Sequence, residues 1–457
     1  MKYDVVIKNG TIMDPKRWKS TIANIGILKG KIENITREEI EGKAEIDVRD
    51  KIVCSGIIDI HAHVEGNLDC ASIMAAMGVT TVYNGNCGMS PENLKIFYDK
   101  NEHFLINQIE QIGHTNLREQ VGVRDRYKAA NDEEIEKMKS LLTDAFQDGA
   151  YGLSFGLEYV PGSSKKEVLE LAKIAAKYGK LVSIHTRSDS YGGLSTLREA
   201  IDITRKTGAA VNISHLTYQF GMGMATEALN MIEEALAEGL DISVDSGLYS
   251  AFATAIGSAV FDEGCLEKWG CDYNSLIAGT GKYKGQRLTK EIYEELRRDS
   301  PEDTGIGMVG EEYEVFEILD KPYVMICTDG GTLYDKGVPG HPQDAGTYPK
   351  FFRTMVREQH RISWMEAINR CTYLPAKRLG LESKGTIEIG ADADILIFDP
   401  KIIEDKADYP CFGLTETRPE GIEYVFVNGV MTVKGKDVLD VKAGSVIKGN
   451  YDLWKWK

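Results

Sequence analysis

Eight short apolar runs, separated by segments of helical periodicity, fill the middle of this chain. In order they are IIDIHAH, TTVYNGNCG, HFLINQI, AYGLSFGLEY, LVSIHTR, AVNISHLT, DISVDSG and YVMICTDG. Among the intervening segments are EEIEKMKSLLTDAFQDG, KKEVLELAKIAAKYG, STLREAIDITRKTG and ATEALNMIEEALAEG. Each is amphipathic and closes on a glycine, the residue favoured just past a helix. Strands apolar along their whole length need cover on both faces, and helices crossing between parallel strands supply it. Eight such units predict an α/β fold: a distorted (β/α)8 barrel of the TIM type over residues 56–384. The connection between the seventh and eighth runs, about residues 247–320, is long and less periodic. We expect it to form a partial lid, with Gly281 and Gly285 allowing bends.

The two ends have another texture. YDVVIKNGTIMD and ANIGILKGKIENI alternate as antiparallel strands do, with Asn9-Gly10 and Lys29-Gly30 as turn signals. ADADILIFDP, IEYVFVNGVMTVKG and GSVIKGN repeat that pattern near the C-terminus. Residues 1–55 and 385–457 are therefore expected to assemble one small β-sandwich domain from both termini. A chain of 457 residues is long enough for that second unit.

Charge and composition narrow the function. The balance of 54 basic against 70 acidic residues, a net −16, repels a polyanion, so nucleic acid is not an expected partner. No apolar run approaches the ~20 residues of a membrane span, so no membrane partner is expected either. The N-terminal stretch lacks the apolar core of a signal peptide. Eight cysteines are scattered without the spacing of a disulfide framework, which suits a reducing cytoplasm and leaves thiolates free to bind metal. A homo-oligomer is compatible with all of this.

In a parallel barrel, residues at the C-terminal ends of the strands meet in one pocket. Those positions carry His61 and His63 on the first strand, Cys87 after the second and His185 on the fifth. His215 follows on the sixth and Asp329 on the eighth. A lone H-x-H proves little, but four of the chain's eight histidines occupy such ends. His103, His114, His341 and His360 are read as loop residues. Burying four unligated imidazoles would need four satisfied hydrogen-bond networks. Imidazole with thiolate favours zinc, in a four-coordinate site with one position left for water. An aspartate before Gly-Gly is ordinarily a turn residue. The preceding strand YVMICT and the neighbouring ligands instead give Asp329 a catalytic reading.

These residues also carry a resemblance. The chain resembles the amidohydrolase superfamily, and within it the N-acyl-D-amino-acid deacylases, or D-aminoacylases. The likeness runs through IKNGTIMDP, GIIDIHAH, NGNCG, GHTNLREQVG, YGLSFGLEYVPG, SIHTR, ISHL, TDGG, HPQDAGTYPKFF and GTIEIGADADILIFDP. Asn86-Cys87-Gly88 is its most specific element: this branch resembles hydrolases with a cysteine ligand after strand 2, and GLSFGLEY offers no lysine on strand 4. The resemblance implies a tight zinc held by Cys87, His185 and His215. It implies a second, weaker position formed by His61, His63 and Asp329 with Cys87 bridging. Asp329 would then act as general base and acid, taking a proton from water and delivering it to the leaving nitrogen. The metal and a nearby imidazole would stabilise the oxyanion.

The expected substrate is a small N-acyl compound, with opening of a cyclic amide, as in hydantoinases and dihydropyrimidinases, as the alternative. Relatives that bind a free amino-acid carboxylate commonly have a lysine two residues after the strand-6 histidine, where this chain has Thr217. Tyr159, Tyr249 and Arg187 are candidate substrate contacts. Glu158 is read first as a solvated loop carboxylate and second as a partner for an NH-rich substrate.

Overall fold

The computed structural model describes residues 2–331, the backbone of 334 and 335, and residues 337–450. The middle of the chain is a parallel barrel. Strands Ile57–Asp59, Val79–Asn84 and Asn107–Glu110 pair in that order. Ile112–Gly113, one residue further on, opens a second parallel run. That run continues through Gly152–Gly156, Leu181–His185, Val211–Ile213, Ile242–Ser246 and Val324–Ile326. A parallel bridge between Ala62 and Gly330 brings the eighth strand back beside the first. Two backbone bonds fasten that seam: Asp329 N–H donates to the His61 carbonyl at 2.9 Å, and His63 N–H to the Gly330 carbonyl at 2.8 Å. The fold is an α/β barrel of the TIM type with an added β domain.

The helices form where the sequence marks them. Asn131 and Ser164 cap Asp132–Gln147 and Lys165–Lys177, with Glu134 and Glu167 closing a capping box in each case. Helix Ser190–Thr207 stops at Gly208, whose φ of 72° needs no Cβ. Their apolar faces pack onto the barrel through residues such as Met138, Leu142, Leu171 and Ile201, all buried. No helix among the described residues is long and apolar enough to cross a membrane.

Both ends of the chain enter one nine-stranded sheet. Tyr3–Asp14 pairs with Lys19–Leu28 and, in parallel, with Ile52–Ser55. Ile395–Phe398 joins on the other side of Ile52–Ser55, and Ile422–Val427 and Val430–Lys434 follow. Ile7, Ile25, Val53, Ile395 and Phe426 form its core. Only Gly56 separates Ile52–Ser55 from the first barrel strand. A buried ion pair secures the junction: Lys384 Nζ lies 2.6 Å from Asp394, which also accepts from the Asn107 side chain at 3.2 Å.

The connection between the seventh and eighth strands is ordered. Phe252–Ala255, Thr304–Gly307 and Leu276–Ala278 make a three-stranded antiparallel sheet. Phe252, Phe261 and Trp269 cluster beside it, with ring centroids 5.2–5.8 Å apart. Two of the remaining histidines depart from the loop reading: His114 begins a helix and His341 is buried. His114 is accommodated by Glu167, 2.8 Å away, and the His341 ring lies against Tyr249 and Tyr409.

Candidate metal centre

Strand ends deliver the polar residues, and three of them do so in strained backbone. Cys87, His215 and Asp329 have φ of 52°, 34° and 55°. Such left-handed conformations cost a side-chain-bearing residue about 1–3 kcal/mol each and persist only where the surroundings enforce them. Here they are enforced. The Asp245 carboxylate accepts from His215 N–H at 2.6 Å. The Gln343 amide donates to the Asp329 carbonyl at 2.7 Å. Next to Cys87, Gly88 N–H donates to Ser154 Oγ at 3.1 Å. The strand-4 backbone approaches so closely that a Cβ on Gly156 would collide with the Cys87 carbonyl.

The side chains then converge. Cys87 Sγ lies 3.4 Å from His61 Nε2, 3.5 Å from His215 Nε2 and 3.7 Å from His185 Nδ1. His185 Nδ1 and His215 Nε2 are 2.9 Å apart. Asp329 Oδ1 lies 3.1 Å from His61 Nε2 and 3.4 Å from His63 Nε2. Donor atoms of His61, Cys87, His215 and Asp329 all fall within 4.8 Å of one another. Ligands of a tetrahedral zinc stand about 3.3–3.8 Å apart, given its usual bond lengths. The sulfur–nitrogen separations match that range, and the donor set of imidazole, thiolate and carboxylate is one zinc accepts. The Nδ1 atoms of His63 and His215 are buried without hydrogen-bond partners, and that of His61 stands 3.4 Å from Asp245 Oδ1.

Electrostatics point the same way. Burial pushes the Cys87 thiol up, but the charge of His61 and hydrogen bonds with His185 and His215 outweigh it and hold the group well below the usual thiol range. Burial likewise raises Asp329, and His215, His61 and His63 pull it well below an ordinary carboxyl. Both groups are therefore anionic, ready for a cation.

Glu158 departs from the solvated reading. Only 6% exposed, its carboxylate stands 3.1 Å from His185 Nε2 and accepts from Lys268 Nζ at 2.9 Å. These partners offset its desolvation, and the group lies below the usual carboxyl range. Glu158 thus orients the His185 ring, with Nε2 on the carboxylate and Nδ1 turned toward Cys87 and His215. Gln219 joins them, its side-chain nitrogen 3.2 Å from Glu158 and its oxygen accepting from Thr186 N–H at 3.0 Å. Sequence reasoning missed Gln219, Lys268 and Asp245. Asp245 sits at the end of the seventh run and was detectable there by the logic that found His185. Lys268 carries no such signal.

The centre opens into a cavity of about 340 Å³, with His63, Cys87 and Asp329 at the metal end. Tyr159 lines it and donates its hydroxyl to Thr254 at 3.1 Å. Arg187, Thr217 and Tyr249 do not line it. Arg187 is bound to Glu199 at 2.9–3.0 Å. The Thr217 hydroxyl shares a 2.6 Å hydrogen bond with Ser246. Tyr249 is buried, with its hydroxyl on the Pro342 carbonyl at 3.3 Å.

Comparison with known proteins agrees with this geometry. The D-aminoacylase of Alcaligenes xylosoxydans xylosoxydans is 27% identical over 97% of both chains. A structure of the N-acyl-D-glutamate deacylase from Bordetella bronchiseptica, complexed with zinc and a phosphonate mimic of the reaction's tetrahedral intermediate, superposes with a TM-score of 0.88. It is 26% identical and the match covers 98% of this chain and 100% of that one. A D-aminoacylase structure described for its binuclear metal centre gives a TM-score of 0.87 at 25% identity, over 98% and 100% of the two chains. The sequence model of the amidohydrolase family matches residues 52–246 and 309–432, taking in the barrel and most of the C-terminal strands of the terminal sheet while leaving out the insertion. On a match of that extent, this chain belongs to the amidohydrolase family.

Proposed function

We propose that this protein is a zinc-dependent deacylase of N-acyl-D-amino acids, cleaving the amide to a carboxylic acid and a free amino acid. The observation that carries the reading is Asp329. Its carboxylate is anchored between His61 and His63, beside a thiolate–imidazole donor set, and it faces a cavity of substrate size.

Cys87, His185 and His215 would hold the tight metal position. His61, His63 and Asp329 would form the weaker one with Cys87. Zinc, when bound, supplies Lewis acidity that makes water nucleophilic near neutral pH and polarises a carbonyl. Asp329 orients the attacking water, takes its proton on a carboxylate oxygen and returns that proton to the departing nitrogen. With the weaker position empty, His63, at the cavity wall, would donate to the oxygen on which negative charge develops. Tyr159 forms a side of the cavity and excludes water from it.

Opening of a cyclic amide would use the same centre. The acyclic substrate is preferred because the likeness to the D-aminoacylase and N-acyl-D-glutamate deacylase reaches 26–27% identity, with a TM-score of 0.88 for the latter. A panel of N-acetyl- and N-formyl-D-amino acids beside hydantoin and dihydrouracil tests the choice. Turnover of the acylated amino acids is expected, and turnover of the rings alone would overturn the reading.

A further inference from the structure

A substrate with a free carboxylate needs a donor at the end of the cavity away from the metal, and the candidates can be counted. Among the described residues, the cations lining the cavity are Arg118, Arg124 and Arg126. Arg118 is committed elsewhere: it is buried and donates to Glu167 and to the Lys128 carbonyl, both at 2.6 Å. Arg124 is exposed at the rim with Glu119 and Glu302, where salt screens all three.

Arg126 is different. It is half-buried, and one arm of its guanidinium donates to the Gly257 carbonyl at 3.1 Å, fixing the group against the insertion. No carboxylate lies within ion-pair distance of it among the described residues. The residue after Gly257 is Ser258, whose hydroxyl is buried, lines the same cavity and has no hydrogen-bond partner. A buried hydroxyl left unpaired is costly unless a ligand completes it. A half-buried guanidinium with free donors, next to an unsatisfied hydroxyl, is a receptor for a carboxylate.

We propose that Arg126 and Ser258 form the subsite that receives the free carboxylate of an N-acyl amino acid. The proposal rests on the deacylase reading and deepens it. The metal centre acts on the acyl–nitrogen bond, while an arginine from the segment before helix Asp132–Gln147 and a serine from the insertion grip the amino-acid end. The insertion thus shares in substrate recognition.

Steady-state kinetics of the zinc-loaded enzyme test this, using an N-acetyl-D-amino acid and its carboxamide with wild type, Arg126→Met, Arg126→Lys and Ser258→Ala. Arg126→Met should raise KM for the acid roughly 10- to 100-fold, the worth of a charge-assisted hydrogen bond, with kcat nearly kept. The carboxamide should lose much less, Arg126→Lys should recover part of the loss, and Ser258→Ala should show a smaller rise. Calorimetric binding of the acid to Asp329→Asn protein, with and without Arg126→Met, reads the same subsite without turnover. Equal losses for acid and carboxamide, or no change in KM and binding, would overturn the subsite. If wild type opens only cyclic amides, the deacylase reading falls with it. If wild type cleaves the acid while the variants are indifferent, the subsite alone falls. Should Arg126→Met fail to fold, Arg126→Lys and Ser258→Ala carry the test.

Discussion

Glu158 Oε2 and His185 Nε2 stand 3.1 Å apart in a buried contact that turns the other ring nitrogen of His185 toward Cys87. The carboxylate is held in turn by Lys268, from the insertion. The relationship fixes the orientation of the ring, and with it the direction in which Nδ1 faces.

Removal of that carboxylate should weaken the metal. Glu158→Ala is expected to cost about 10- to 100-fold in zinc affinity, as loss of a partner behind a ligating histidine does. Glu158→Gln, whose carbonyl oxygen still accepts from Nε2–H, should retain most of it. Chelator competition measures both, and equal affinities in all three proteins would refute the orienting role.

Cys87 should appear directly in the metal's surroundings. Zinc X-ray absorption of the wild type is expected to show one sulfur at about 2.3 Å among lighter ligands. Cys87→Ser should lose that sulfur and most of the tightly bound zinc. An all-nitrogen-and-oxygen shell in the wild type would defeat the thiolate assignment.

Acid stability should depend on Glu167. Burial raises this carboxyl, but His114 and Arg118 outweigh burial and bring it down to about 2 from an ordinary 4.5. A carboxyl lower in the folded state than the unfolded stabilises above the unfolded value and loses that contribution as pH falls toward the folded one. The difference corresponds to roughly 3 kcal/mol at neutral pH. His114, lowered chiefly by burial, adds a loss that begins below its ordinary 6.5. Wild type should therefore melt well above Glu167→Gln at pH 7, with the gap narrowing below pH 4.5. A gap independent of pH would contradict the assignment.

The barrel was legible because its strands and helices differ in period, and because helix ends carry local signals at Asn131, Ser164 and Gly208. The candidate ligands were legible for a related reason: a strand end is a position in the sequence, so His61, Cys87, His185, His215 and Asp329 could be picked out before any geometry. Contacts between distant segments were not. Lys268 meets Glu158 across 110 residues, and nothing near either residue announces the other. Without Lys268, a carboxylate before Tyr159 reads as a loop residue in water. Arg187 illustrates the converse: its sequence position fits a substrate contact, but Glu199, twelve residues on, engages its guanidinium. The left-handed backbone at Cys87, His215 and Asp329 was also invisible, since tertiary contacts rather than residue preference impose it.

The central claim is that Asp329 moves the proton at a zinc centre that cleaves an N-acyl-D-amino acid. Turnover and zinc content measured together, in wild type and Asp329→Asn, test it most directly. Wild type should cleave the substrate. The variant should lose about 10²- to 10⁴-fold in kcat, the usual worth of a general acid–base group, while its tightly bound zinc stays unchanged. Near-normal turnover in zinc-loaded Asp329→Asn would contradict the account.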